Sequence, residues 1–206
     1  GIFHGYLYSA YDAEGNLHLY RFTKRQQAVY LAKGEKTLGR CNASAGIYLD
    51  LITDSDFLNM TFDTVCGSAV SYMGFDLYVD GVFTENRSFN DYHIQEVRFS
   101  LPQGTHRITL YFPWSCMVVV RTVELSVNAT IETVNRAHKA MAFGDSITQG
   151  YTAMKPSLSY IHTLARELDA QIINQGVGGF YFDEKTIDEE LSAYAPEFLL
   201  IAYGTN

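Results

Sequence analysis

The spacing of apolar residues switches once along this chain of 206 residues, and that switch limits what the chain can fold into. Up to about Val134 the period is two. Phe75, Leu77 and Val79 alternate with Asp76 and Tyr78, and Asp80-Gly81 then supplies residues that tolerate positive φ in a tight hairpin turn. Val97, Phe99 and Leu101 repeat the pattern, Pro102-Gln103-Gly104 turns the chain, and Ile108, Leu110 and Phe112 continue it. Leu58, Met60 and Phe62 share the period, Val118–Leu125 is β-branched, and only Thr23–Leu31 reads as a short helix. Many short strands separated by turns predict an antiparallel β-sandwich, jelly-roll-like, over residues 1–134.

Beyond that point strands and helices alternate. His138–Phe143 is a short run bounded by Gly144, predicted as a buried strand, and Ile161, Leu164, Ala165 and Leu168 then recur at one-face helical spacing. Gln171–Asn174 is a second strand ending in a glycine cluster. Thr186 with Glu189 has the pattern of a capping box, for a helix that Pro196 stops, and Phe198–Tyr203 is a third apolar strand. This order predicts a parallel sheet wound by right-handed crossovers over residues 135–206. No internal repeat or low-complexity linker marks the join, which rests on the change of period alone.

Composition removes several classes of function. The 15 basic residues are scattered among 23 acidic ones, for a net charge of −8 and a pI near 5.1, so nucleic acid is not an expected partner. The longest apolar runs, Met117–Val120 and Phe198–Ala202, are too short to span a bilayer. No charged, apolar leader with a small-residue cleavage site is visible at the N-terminus, but Gly1 is not a natural start, so both a cytoplasmic location and secretion with the leader removed stay open. Cys41, Cys66 and Cys116, an odd count without CxxC spacing, argue against a disulfide framework or a zinc site and predict buried reduced thiols. The chain is 14% aromatic; Trp114 and the tyrosines could stack on sugars, although sandwich core is the favoured reading.

Active sites of open parallel sheets form at the carboxyl ends of the strands. Three loops leave those ends here. Gly144-Asp145-Ser146-Ile147-Thr148 can present a serine hydroxyl at the rim, though Thr148 takes the place of the second glycine of a GxSxG elbow. Asn174-Gln175-Gly176-Val177-Gly178-Gly179 lets backbone N–H groups approach a ligand closely. Tyr203-Gly204-Thr205-Asn206 places a side-chain amide beside the same crevice. Taken singly, each is also ordinary turn chemistry; the glycine cluster lacks GxGxxG spacing, and no cofactor or metal is expected.

Together the three segments resemble the consensus blocks of the GDSL/SGNH hydrolases, in order, with Gly179 and Asn206 lying 33 and 60 residues after Ser146. The resemblance implies an α/β/α fold in which Ser146 is the catalytic nucleophile. The N–H groups of Ser146 and Gly179 and the Asn206 amide would form the oxyanion hole. A strand-rich segment ahead of such a block set is similar to carbohydrate esterase family 2, whose members remove acetyl groups from sugars. It implies small acetyl esters of carbohydrates as substrates, with lipid or thioester acyl groups as the alternative. The family's closing Asp-x-x-His block has no counterpart within residues 1–206. None of the six histidines replaces it: His138 lies about 25 Å from Ser146 at about 3.3 Å per extended residue, His162 is mid-helix, and His4, His18, His93 and His106 belong to the β-rich half.

Three expectations follow. The chain as it stands is a weak or inactive esterase whose parent is active. The Phe198–Tyr203 edge is uncovered and invites self-association. A reading from another class, a non-catalytic carbohydrate-binding module, competes with the enzyme.

Overall fold

The computed structural model describes residues 1–206. The chain opens with β1 (Phe3–His4), β2 (Tyr8–Tyr11) and β3 (Leu17–Tyr20), followed by helices α1 (Lys24–Ala32) and α2 (Glu35–Asn42). Seven strands come next: β4 (Tyr48–Thr53), β5 (Phe57–Cys66), β6 (Met73–Val79), β7 (Val82–Phe89), β8 (Glu96–Ser100), β9 (His106–Tyr111) and β10 (Cys116–Glu124). After the short β11 (Glu132–Thr133) the order becomes β12 (His138–Gly144), α3 (Ser146–Gln149), α4 (Tyr160–Glu167), β13 (Ala170–Gly176) and β14 (Phe198–Ala202). No helix is long and apolar enough to cross a membrane.

The alternating strands form two antiparallel sheets, β1-β4-β9-β6-β7 with β11 beside β4, and β2-β3-β10-β5-β8. Their inward residues, among them Leu49, Phe75 and Leu110 from the first sheet and Met60, Phe99 and Val118 from the second, meet in one core of 19 buried side chains. Asp80 (φ 51°) and Gly81 (φ 79°) join β6 to β7 in a two-residue turn whose twist matches the strands.

The third sheet, β13-β12-β14, is parallel throughout. Gly144 pairs with Gly176 on one side and Ala202 on the other, so all three strands end level and their loops leave one rim. The outer edge of β14 is unpaired, with Leu199 and Ile201 more than half exposed.

Several readings of the sequence need correction. The segment around Thr186 is not an α-helix but two 3₁₀ turns, Glu184–Thr186 and Glu189–Tyr194. The caps are Asp183 and Asp188, whose carboxylates accept from the N–H groups two residues on, while the Thr186 hydroxyl donates back to the Asp183 carbonyl. Helix α2 has no counterpart in the sequence reading. Cys41 and Cys116 are buried, but Cys66 is exposed. Trp114 is buried, donates to the Ala153 carbonyl at 2.7 Å and packs edge-on against Tyr151.

The β-rich half and the parallel sheet meet across a polar, aromatic seam. His162 of α4 lies fully buried, 4.5 Å from the ring of Tyr111 and 6.0 Å from that of Tyr48. Arg166 stacks over Tyr78 and Tyr111, and Arg136 reaches both Asp50 and Asp169. Burial first, then the nearby cations Arg166 and Arg136, pull the His162 pKa down from 6.5 to about 3. The folded chain therefore keeps His162 neutral while the unfolded chain protonates it. Stability is retained above pH 6.5 and falls as the pH drops below it, because the unfolded chain then takes up a proton that the folded chain excludes. Urea unfolding should show this acid slope, and His162→Gln should flatten it; an unchanged slope in the variant would assign it to other groups.

Candidate active site

Ser146 stands where the register of β12 puts it, two residues past the last paired residue and at the first position of α3. The buried Asp145 caps this short helix by accepting from the Ile147 N–H at 3.0 Å. The helix sits directly on the end of β13, because a side chain on Gly176 would collide with the backbone of Thr148 and Gln149. Asn174 holds the same helix from beneath. Its Nδ2 donates to the Thr148 carbonyl at 2.7 Å, and its Oδ1 accepts from the Gly176 N–H at 2.9 Å.

Beyond β13 the chain turns through Val177-Gly178-Gly179. A Cβ on Gly178 would lie 3.6 Å from the Ser146 Cβ, so this turn and the serine are in contact range. The Gly178 N–H is taken by Gln149 Oε1 at 2.7 Å. Gln149 Nε2 in turn donates to the carbonyls of Gly67 and Trp114, which ties the loop after β5 to the same place. The N–H groups of Ser146 and Gly179 and the Ser146 hydroxyl make no hydrogen bond within the chain.

These groups line one cleft of about 200 Å³. Ser146, Gln149 and Tyr151 come from the first loop and Gly178 and Gly179 from the second, while Arg40 of α2 and the Ser68–Ala69 turn close the side facing the β-rich half. Arg40 is the cleft's one charged group and has no carboxylate partner.

The structure thus brings Ser146 and Gly179 together. Asn206 does not line the cleft. Its Nδ2 donates to the Phe180 carbonyl at 3.1 Å, one residue past Gly179, and the Thr205 N–H lies 3.4 Å from the Asp145 carboxylate. Burial, and then the Asp145 charge, push the Tyr203 phenol up to about 12, so it stays protonated beside these groups.

None of the six histidines reaches the cleft. His138 is at the opposite end of β12, paired with Glu197 at 2.8 Å, and His162 and His4 are buried against Tyr48. His18 and His106 pair with Asp12 and Asp80. Sequence reasoning missed Gln149 and Arg40. Gln149 directly follows the first block, a polar residue one helical turn from Ser146. Arg40 sits in a polar stretch of the β-rich half and carried no signal.

No family model matches the chain, and no curated protein matches it in sequence. Its fold is shared with solved structures of acyl-transferring and ester-cleaving proteins. A salicylyl-acyltransferase from a tetracycline biosynthetic pathway superposes with a TM-score of 0.72 at 23% identity, over 85% of this chain and 50% of that one. A GDSL-like lipase from Bacteroides ovatus gives 0.62 at 18%, over 97% and 60%. A family two carbohydrate esterase from Clostridium thermocellum gives 0.59 at 17%, over 80% and 60%. The chain spans half to three fifths of the length of these structures.

Proposed function

We propose that this chain is the nucleophile-bearing part of a serine esterase that removes small acyl groups, acetyl foremost, from carbohydrates. The division that goes with it is a β-sandwich domain at 1–134 and the opening of a hydrolase domain at 135–206. One observation carries the reading: a serine hydroxyl and two backbone N–H groups, none bonded within the chain, line one cleft at the carboxyl rim of a parallel sheet. A hydroxyl for attack and donors for the resulting oxyanion are what acyl transfer requires.

In this mechanism Ser146 Oγ attacks the ester carbonyl and its proton passes to a histidine outside residues 1–206. The N–H groups of Ser146 and Gly179 hold the oxyanion. The Asn206 amide joins them by leaving the Phe180 carbonyl. The alcohol departs with the proton, and water then releases the acyl group from Ser146. Carbohydrate is favoured as the alcohol because a structure of the Clostridium thermocellum esterase holds cellohexaose, and that family shares this fold. Burial of Trp114 weighs against the competing reading as a glycan-binding module, since that ring offers no open platform.

The test is to quench the full gene product during turnover of an acetylated sugar and map the acetyl group by mass spectrometry. Acetylation confined to the peptide bearing Ser146, and absent from Ser146→Ala, is the expected result. Turnover with no acyl group on Ser146 would remove the reading.

A further inference from the structure

The peptide joining Gly178 to Gly179 carries the oxyanion donor of the proposed site. It is trans, as every peptide of the chain is, so its carbonyl and its N–H point in opposite directions in one plane. Arg40 Nη1 donates to that carbonyl at 2.7 Å. On the other side of Gly178, Gln149 Oε1 takes the Gly178 N–H at 2.7 Å. With both of those groups fixed, the rotation of the Gly178–Gly179 peptide is set, and its N–H is the one left without an acceptor. The guanidinium also covers Gly179 itself: a Cβ there would lie 2.8 Å from Nη1, and φ is +70°, so any other residue would be strained and would displace Arg40.

Arg40 is itself held. Arg21 Nη2 donates to the Arg40 and Cys41 carbonyls at 3.0 Å, and Gly39 packs so closely on the Cys66 carbonyl that a Cβ would come within 2.9 Å. No carboxylate neutralises Arg40, so its charge acts on the peptide dipole. A charged donor on a carbonyl polarises the peptide and strengthens its N–H as a donor.

We propose that Arg40, supplied by the β-rich half, is a positioning residue that orients and polarises the Gly179 N–H for the oxyanion. The inference rests on the esterase reading above. It implies that the sandwich is part of the catalytic apparatus through α2.

Two measurements on the full gene product test it. In the isotope-labelled protein, Arg40→Met should move the Gly179 amide proton upfield, a signature that packing alone would not produce. With p-nitrophenyl acetate the same variant should lose about 10–10²-fold in kcat, because a misplaced donor costs roughly that much. KM should stay within about 2-fold, since the oxyanion forms only in the transition state. Millimolar guanidinium should restore part of the rate of Arg40→Ala. Melting temperatures check folding, and Arg40→Gln, which removes the charge while keeping much of the side chain's length, replaces Arg40→Met if the latter unfolds.

An unmoved Gly179 resonance, or unchanged kcat, overturns the inference. So does a loss seen only in KM, and only for a succinyl ester, because that would make Arg40 a direct binder of anionic substrates. If Ser146→Ala keeps full turnover, the esterase reading fails and this inference with it. If Ser146→Ala is inactive and Arg40→Met is not, only the inference fails.

Discussion

Ser146→Ala is expected to lower acetyl-ester turnover by the full gene product about 10⁴–10⁶-fold, the range seen when a serine nucleophile is deleted. The melting temperature should not move. Ser146 is only partly buried, and its hydroxyl makes no hydrogen bond in the fold, so its removal leaves no buried group unpaired. Initial rates with a chromogenic acetyl ester, beside a thermal melt, separate the two effects. A loss below tenfold with the fold intact would mean that another group performs the attack. A large loss with a lowered melting temperature would mean that the serine is structural.

The largest stability effect is expected at Arg21. Its guanidinium is fully buried and faces no carboxylate. It donates instead to five carbonyls: Arg40 and Cys41 in the last turn of α2, Ala43 just beyond, and Asn174 and Gly176 of β13. The last carbonyls of a helix have no partner within it, and here one fork serves them together with the strand that ends at the cleft. Burial lowers its pKa to about 10, which leaves it charged at neutral pH. Arg21→Met fills similar space but strands those carbonyls, each worth about 1–3 kcal/mol when left unpaired in the interior. Relief from burying a charge offsets part of this, so a net loss of about 3–5 kcal/mol is expected in urea unfolding. Arg21→Lys should fare little better, because three donors on one nitrogen cannot span the same fan. A loss under about 1 kcal/mol in either variant would show that the carbonyls find other donors.

Much of the framework was legible because it depends on local pattern. The Asp80-Gly81 turn, the strands around Phe75, Phe99 and Leu110, and the parallel strands at His138, Gln171 and Phe198 follow from period and turn chemistry. The three rim loops could be placed together for the same reason, since level strand ends bring their loops to one side. What stayed hidden depends on contacts across the fold. Helix α2, sequence EKTLGRCN, has few apolar residues and a glycine in its middle, and it is held by Arg21 and by its approach to Cys66 rather than by propensity. Arg40 is an ordinary surface-type residue until Gly178 arrives beside it. The Thr186 capping box was a false signal because Asp183 and Asp188 compete for the same turns and bond their own backbone at shorter range.

The Arg21 fork also sets a schedule. Two of its five acceptors, Asn174 and Gly176, lie 153 and 155 residues further along the chain. A ribosome adding about 5–20 residues per second needs roughly 8–30 seconds to make that stretch. Most of that time goes to making the β-rich half itself. Only over the last 42 residues, 135–176, roughly 2–8 seconds, does a finished β-rich half hold its cation with the strand acceptors unmade, and water must serve Nη1 in their place. The cleft wall formed by α2 therefore takes its final position only after β13 has been synthesised, so translation speed between Val134 and Gly176 bears directly on how long that half waits exposed in the cell.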